Sequence, residues 1–155
     1  MTNSERRIKL VSFGNGYDQL ITALNSVPRE VWDFKPSPGQ WSIHEIIIHI
    51  VDAEVKGCIR FRKGIAEAGK PIMVFDQEQW ARSLYYQGQH IDSVLELIRL
   101  LRLKTYHLIE RLPGQHHSTS RKRYADNGDF LKGYKGHIAS HIKQIQKNHE
   151  LWALR

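Results

Sequence analysis

The segment that begins at Trp41 constrains the fold of this chain more than any other part of the sequence. Ser42 and Glu45 have the spacing of a capping box, in which each side chain accepts a hydrogen bond from a backbone N–H at a helix start. Mostly apolar residues then recur with the helical period, and the resulting stripe consists of Ile46, His49, Ile50, Ala53, Gly57 and Phe61. The pattern predicts a helix from Ser42 to about Ala68 that buries one face and ends at Gly69.

Three further segments show helical periodicity, and no segment shows a strand-like alternation of comparable length. They span about Ser4 to Val27, about Asp92 to Leu112, and the region from Asp129 onwards. Gly14 and Gly16 weaken the first of these helices in its middle, and Asp76 to Leu84 can form a short additional helix. Four long helices in 155 residues predict one all-α domain, residues 1–155, folded as a four-helix bundle whose sites lie between facing helices.

The composition excludes several classes of protein. No run approaches the ~18 consecutive apolar residues of a membrane span, and residues 1–7 lack the apolar core of a secretion signal. We therefore expect a cytoplasmic protein without a membrane partner. The single cysteine, Cys58, rules out an intramolecular disulfide and a thiolate-rich metal site, so nitrogen and oxygen must supply the ligands of any metal.

The formal net charge of +7 has three interpretations. It can mark a solvated basic surface, a site for an anionic small ligand, or an affinity for nucleic acid. The positive charge is spread along the chain, with one tight cluster at Arg121, Lys122 and Arg123 in a polar segment from Gln115 to Gly128. This spread favours a solvated surface, and nucleic-acid binding is the least favoured of the three.

Two histidines in the last helix form a candidate metal site. His137 and His141 are four residues apart, so they lie roughly 40° apart on one face of a helix and can bind one divalent ion. His49, on the core stripe of the second helix, is the best candidate for a third ligand. The competing interpretation is that these are ordinary core or surface histidines, because a chain with nine histidines produces such spacings by chance.

Helical geometry separates two other residues from His49. His44 precedes it by five residues, roughly 140° around the helix, so the His-Glu pair lacks the four-residue spacing of a zinc-protease motif. We expect His44 to be exposed and Glu45 to cap the helix rather than act as an acid or base. Cys58 follows His49 by nine residues, roughly 180° around, so a thiol used at this centre must come from a cosubstrate.

Three polar residues near the candidate site keep both functional and structural interpretations. Asp52, one turn after His49, can orient a ligand histidine or act as a fourth ligand, or it can be a solvated or ion-paired carboxylate. Gln144, three residues after His141, has the same ambiguity. Tyr134 faces the same side as the two C-terminal histidines and either walls the pocket or simply packs in the core.

Two motifs together resemble those of the DinB-like (YfiT-like) family of helical bundles. The first is the stretch from Lys35 to Glu54, KPSPGQWSIHEIIIHIVDAE, with its Trp-Ser helix start and following histidine and acidic residues. The second is the stretch from His137 to Ile145, HIASHIKQI. One departure is Ser140, because many family members have a further histidine at that position.

The resemblance implies an up-down-down-up four-helix bundle with a long crossover between its second and third helices. It also implies a divalent metal held by three histidines in the middle of the bundle, which match His49, His137 and His141. Zn, Ni, Fe and Mn all remain candidates, because imidazole binds each of them. Homodimers are common in the family, so a homodimer is a further expectation.

The same resemblance implies a metal-dependent enzyme that acts on small molecules, as a thiol-dependent S-transferase or a related hydrolase. A low-molecular-weight thiol would then be the cosubstrate. The alternative is a metal-dependent module that binds small ligands, or serves a stress response, without turnover. The sequence assigns no general acid or base.

Overall fold

The computed structural model describes residues 2–67, 70, 71, 74, 76–112 and 127–155, with side chains described throughout except at 127–132 and 135. These parts of the chain contain helices and no strand, as the sequence predicts. The α-helices are α1 (Asn3–Gly14), α2 (Gly16–Asn25), α3 (Ile43–Ala66), α4 (Gln77–Ser83), α5 (Ile91–Arg111) and α6 (Asn127–Ala153). Within these ranges, no helix combines the length and the apolar composition needed to cross a bilayer.

Helix α3 forms as its start signal predicts. The Ser42 hydroxyl accepts a hydrogen bond from the Glu45 backbone N–H at 3.2 Å, and the Glu45 carboxylate accepts one from the Ser42 N–H at 2.9 Å. Lys35 also donates to Glu45 at 2.7 Å, which adds a positive charge beside the capping carboxylate. All six residues of the predicted stripe are buried, so this helix forms one wall of the core along most of its length.

The first predicted helix is two helices rather than one. Helix α1 ends at Gly14 and α2 begins at Gly16, with Asn15 between them. The side chain of Arg102 reaches this junction and donates a hydrogen bond to the Phe13 carbonyl at 2.8 Å. A β-carbon on Gly16 would lie 2.0 Å from the Arg102 Nη1 atom, so the junction needs a residue without a side chain at this position.

The direction of each helix follows from one apolar cluster near an end of the bundle. This cluster joins Leu10 and Phe13 of α1 to Phe61 near the end of α3 and Ile109 near the end of α5. Arg6 near the start of α1 donates to carbonyls at the end of α5, and Leu20 and Leu24 of α2 share a cluster with the first residues of α3. The N-terminal helix pair therefore runs opposite to α3 and α5. Tyr134, early in α6, packs against the same cluster, so α6 runs parallel to the N-terminal pair.

These directions give the up-down-down-up order that the sequence resemblance implies. Helices α3 and α5 are parallel neighbours, and parallel neighbours cannot be joined by a tight turn. The chain therefore returns along the bundle between Glu67 and His90, and this crossover contains α4. Helix α6 packs against both α3 and the N-terminal pair, which places two of the candidate histidines opposite the third.

A buried ion pair connects three of the helices. Arg102 of α5 and Glu54 of α3 approach to 2.8 Å, and their side chains are 2% and 1% exposed. The Arg102 guanidinium also lies 4.3 Å from the Phe13 ring centroid and bonds the Phe13 carbonyl. Burial raises the pKa of Glu54, and the positive charge of Arg102 opposes that rise. Arg102 thus donates to the Glu54 carboxylate and to the Phe13 carbonyl, whereas the second oxygen of that carboxylate, Oε2, has no hydrogen-bond partner among the described residues.

Replacing Arg102 by Met should destabilise the protein by about 3–5 kcal/mol, because Glu54 would be left buried without its partner. Arg99→Met is the matched control, since Arg99 pairs with Glu96 on the exposed face of the same helix. The measurement is urea unfolding followed by circular dichroism. Equal unfolding midpoints for the two variants would contradict the role given to Arg102, and adding Glu54→Leu to Arg102→Met should recover part of the lost stability.

Candidate metal centre

Three imidazoles converge between α3 and α6. His49 is 1% exposed and lies midway along the buried stripe of α3, while His137 and His141 lie half-buried on the facing side of α6. The Nε2 atom of His137 is 3.3 Å from that of His49 and 3.2 Å from that of His141. Each residue has one ligand atom within 4.8 Å of those of the other two, so the three nitrogens surround one small volume.

The surroundings of these rings favour their neutral form. Burial, followed by the charges of His141, His137 and Lys56, lowers the pKa of His49 to about 3. Burial also lowers the pKa of His137 to about 4, and it lowers the pKa of His141. At neutral pH all three imidazoles are therefore uncharged, which is the state that binds a metal ion.

The nitrogen spacing fits a divalent ion. Tetrahedral zinc with Zn–N bonds of about 2.0–2.1 Å places neighbouring ligand nitrogens about 3.3 Å apart. The two Nε2–Nε2 distances that include His137 agree with this value. His49, His137 and His141 are therefore the residues that would hold the ion, and a three-histidine set leaves a coordination position open, as in catalytic zinc sites.

Gln144 fixes the orientation of one of these rings. His141 Nδ1 lies 3.0 Å from Gln144 Oε1, and an amide oxygen can only accept a hydrogen bond. Nδ1 of His141 therefore carries the proton, and the lone pair of its Nε2 points toward the other two histidines. Of the two roles that the sequence left open for Gln144, the structure supports the orientation of a ligand histidine.

Asp52 does not belong to the cluster of ligand atoms. Its carboxylate lies beside the hydroxyl of Tyr86, which lowers its pKa, but the larger effect of burial raises it. The fourth-ligand role that the sequence allowed for Asp52 is therefore not seen.

The neighbour that sequence reasoning missed is Trp41, whose ring centroid lies 4.7 Å from that of His49. The sequence did contain a signal for the packing of Trp41, because a tryptophan directly before a helix cap packs back on the first turns of that helix.

Tyr134 closes one side of the centre. Its hydroxyl donates to the Ala53 carbonyl at 3.1 Å, and its ring centroid lies 6.3 Å from that of His137. The ring crosses α3 above Gly57, where an added β-carbon would lie 2.0 Å from the hydroxyl oxygen. Tyr134 thus packs in the core and also lines one side of the histidine cluster. It therefore has both of the roles that the sequence allowed for it.

Two residues excluded by helical geometry lie away from the cluster. The His44 ring is half-buried rather than exposed, and its Nε2 is 3.0 Å from the Gln89 carbonyl. The Cys58 thiol lies between α3 and α5, 3.0 Å from the Thr105 hydroxyl, and burial raises its pKa. The basic cluster at 121–123 lies outside the described residues.

A cavity of about 360 Å³ leads from the surface to His141. Its walls are α6, the segment from Gly39 to Trp41, and the start of α4. Asn148 of α6 donates to the Trp41 carbonyl at 2.9 Å and so joins two of these walls. A small molecule can therefore reach the side of the cluster on which His141 lies.

A sequence model of the DinB superfamily matches residues 13–145 of the chain. The chain belongs to the DinB superfamily. Its relatives include a protein of Bacillus cereus (strain AH820) that is 21% identical over 137 residues, covering 84% of this chain and 79% of the relative. Another, from Bacillus licheniformis, is 25% identical over 137 residues, with coverages of 83% and 77%. Both carry the name "Putative metal-dependent hydrolase".

The fold of this DinB chain is also similar to a solved structure. YfiT from Bacillus subtilis superposes with a TM-score of 0.77 over 95% of this chain and 89% of its own, at 18% sequence identity. YfiT is described as "a probable metal-dependent hydrolase with an unusual four-helix bundle topology". The similarity confirms the four-helix bundle predicted from the sequence.

Gly57→Ala should destabilise this DinB chain by about 1–3 kcal/mol, because the new methyl group and the Tyr134 ring cannot occupy the same space. Gly136→Ala is the matched control, since a β-carbon there meets no atom within 4 Å and the helix gains about 1 kcal/mol of intrinsic propensity. Thermal unfolding should therefore shift in opposite directions for the two variants. A shift in the same direction would show that Tyr134 does not occupy this position.

Gln144→Ala should lower the affinity for Zn²⁺ about tenfold to a hundredfold, as expected when the hydrogen-bond partner of a ligand histidine is removed. Competition with a chromophoric chelator measures this change. Gln146→Ala, at an exposed position of the same helix, should leave the affinity unchanged. If both variants bind Zn²⁺ as the unmodified protein does, Gln144 does not orient His141.

Proposed function

We propose that this chain is a divalent-metal-dependent enzyme that acts on small molecules at the centre formed by His49, His137 and His141. The observation that carries this proposal is the convergence of three neutral imidazoles at the spacing that a tetrahedral ion requires. The names of the relatives support a hydrolytic reaction. A divalent ion bound here supplies Lewis-acid chemistry, which polarises a substrate and activates a water molecule or a thiol.

The residues of the chain prepare the site for that chemistry in three ways. Gln144 keeps the proton of His141 on Nδ1, so that Nε2 faces the cluster. Trp41 and Tyr134 cover the histidines from two sides and limit the access of water. The cavity beside His141 leaves one approach for a substrate of limited size.

Thiol-dependent transfer is the second candidate reaction. Cys58 cannot supply the thiol, because its sulfur is buried against Thr105 between α3 and α5 and its pKa is raised. A small external thiol entering the cavity beside His141 would be the cosubstrate. The same cavity is also compatible with the ligand-binding module considered from the sequence, and turnover separates that alternative from both reactions.

Elemental analysis of protein purified without a histidine tag tests the metal centre first. We expect about one divalent ion per chain in the unmodified protein and none in His137→Ala, because two remaining imidazoles make a weak site. His149→Ala is the matched control, since His149 lies on the same helix and packs beside Trp152. Metal retained by folded His137→Ala would overturn the proposal.

Activity is then compared for metal-loaded and chelator-treated protein on a panel of small esters and amides. The same panel is repeated with electrophiles and an added thiol. Metal-dependent product formation without a thiol supports hydrolysis, and formation only with a thiol supports transfer. Bound metal and measurable ligand affinity without turnover on either panel would favour the binding module.

A further inference from the structure

Helix α6 carries a fourth polar residue on the face that holds two of the candidate ligands. His137, His141, Gln144 and Asn148 follow one another at intervals of three or four residues, so they lie within about 60° around the helix axis. The first two are candidate ligands, and Gln144 orients one of them. Asn148 is outside that set, yet it is only 4% exposed. A buried carboxamide needs hydrogen-bond partners, so its partner indicates what Asn148 does.

Asn148 bonds a segment of backbone that lies outside the helices. Its Nδ2 atom donates a hydrogen bond to the Trp41 carbonyl at 2.9 Å, across 107 positions of the sequence. Trp41 directly precedes the Ser42 cap of α3, and it follows Gly39, whose φ of 83° lies in the left-handed region. Because Trp41 belongs to no helix, the Asn148 amide is the group that ties its carbonyl to α6.

The residue that Asn148 holds in this way contacts the histidine cluster. The Trp41 ring centroid lies 4.7 Å from that of His49 and 6.4 Å from that of Tyr86. Trp41 also lines the cavity that leads to His141, as Asn148 does. Trp41 therefore borders both the His49 ring and the approach to the cluster, and its position determines how wide that approach is.

We propose that Asn148 is a positioning residue of the metal centre. Its hydrogen bond holds Trp41 against His49, and the indole then limits the number of water molecules that can join the three histidines on a bound ion. With the indole held in place the ion is four-coordinate, whereas an indole that moves away admits further water. This inference rests on the proposed function, because it takes the cluster to hold a divalent ion. It adds a residue outside the ligand set that controls access to that ion.

A purely structural role for the same hydrogen bond has a different consequence. If Asn148 only anchored the segment before α3, its loss would lower the free energy of unfolding and leave the coordination of a bound ion unchanged. The visible spectrum of bound Co²⁺ separates the two roles, because it reports coordination geometry. Four-coordinate Co²⁺ absorbs severalfold more strongly than five- or six-coordinate Co²⁺.

The test compares Co²⁺-loaded protein with two single variants. Asn148→Leu removes the hydrogen-bond donor, keeps a branched side chain and adds no charge, and Trp41→Ala removes the indole. We expect strong absorption in the unmodified protein and severalfold weaker absorption in both variants, with Co²⁺ still bound. Gln146→Leu is the matched control, because Gln146 is exposed on α6 and lines the separate groove beside α2. This control should keep the strong absorption.

A double variant tests whether Asn148 acts through Trp41. Adding Asn148→Leu to Trp41→Ala should change the spectrum no further, because the indole on which Asn148 acts is already absent. A further change in the double variant would show that Asn148 acts by another route, and it would overturn the proposal. Circular dichroism shows which variants fold, and Asn148→Ala and Trp41→Leu replace any that do not.

The remaining outcomes separate the two proposals. If the unmodified protein does not bind Co²⁺, the proposed metal-dependent function fails. If Co²⁺ binds but absorbs weakly in the unmodified protein, the role given to Asn148 is wrong while the metal centre stands. The same conclusion follows if folded Asn148→Leu or folded Trp41→Ala keeps the strong absorption.

Discussion

The buried ion pair between Glu54 and Arg102 is the contact on which the arrangement of this bundle depends. It joins the parallel helices α3 and α5 at one level, and the same guanidinium holds the end of α1 through the Phe13 carbonyl. Two charges are costly to bury, so this contact is tolerated only in one geometry, whereas apolar packing tolerates several. Because Glu54 lies five residues after His49 on α3, a contact that fixes the position of Glu54 also fixes the depth of His49 in the core.

The histidine cluster sits in an environment that a protein core does not favour without a reason. Three imidazoles with lowered pKa values lie side by side, with His49 almost completely enclosed. Buried polar groups lower the free energy of unfolding when they are not fully hydrogen-bonded. In this bundle such groups are clustered imidazoles whose spacing fits one ion. The surrounding aromatic rings and the Gln144 amide hold these side chains in place before any ion binds.

Much of this structure follows from the sequence, because the patterns that predict it extend over only a few neighbouring residues. The capping box at Ser42 and the periodic stripe predict where α3 begins and which face it buries, and the spacing of His137 and His141 places them on one face of α6. Gly14 and Gly16 indicate a weak point in the first helix, but local patterns do not show that the chain breaks at Asn15 or that an arginine 87 residues later contacts the junction. The choice between Gln144 and Asp52 as the partner of a ligand histidine depends in the same way on side-chain orientations that spacing does not determine. The position of Trp41 before the cap indicates that its ring packs on the first turns of α3, but it does not indicate that the ring reaches His49.

The placement of the three histidines has a consequence for the chain as a whole. One ligand comes from α3 and two come from α6, and His137 follows His49 by 88 positions in the sequence. An ion held by all three would act as a reversible cross-link between the N-terminal and C-terminal halves of the bundle. Such a cross-link stabilises only the folded chain, so resistance to unfolding would rise with the free concentration of the metal. In a cell, the lifetime of this protein would then depend on metal supply.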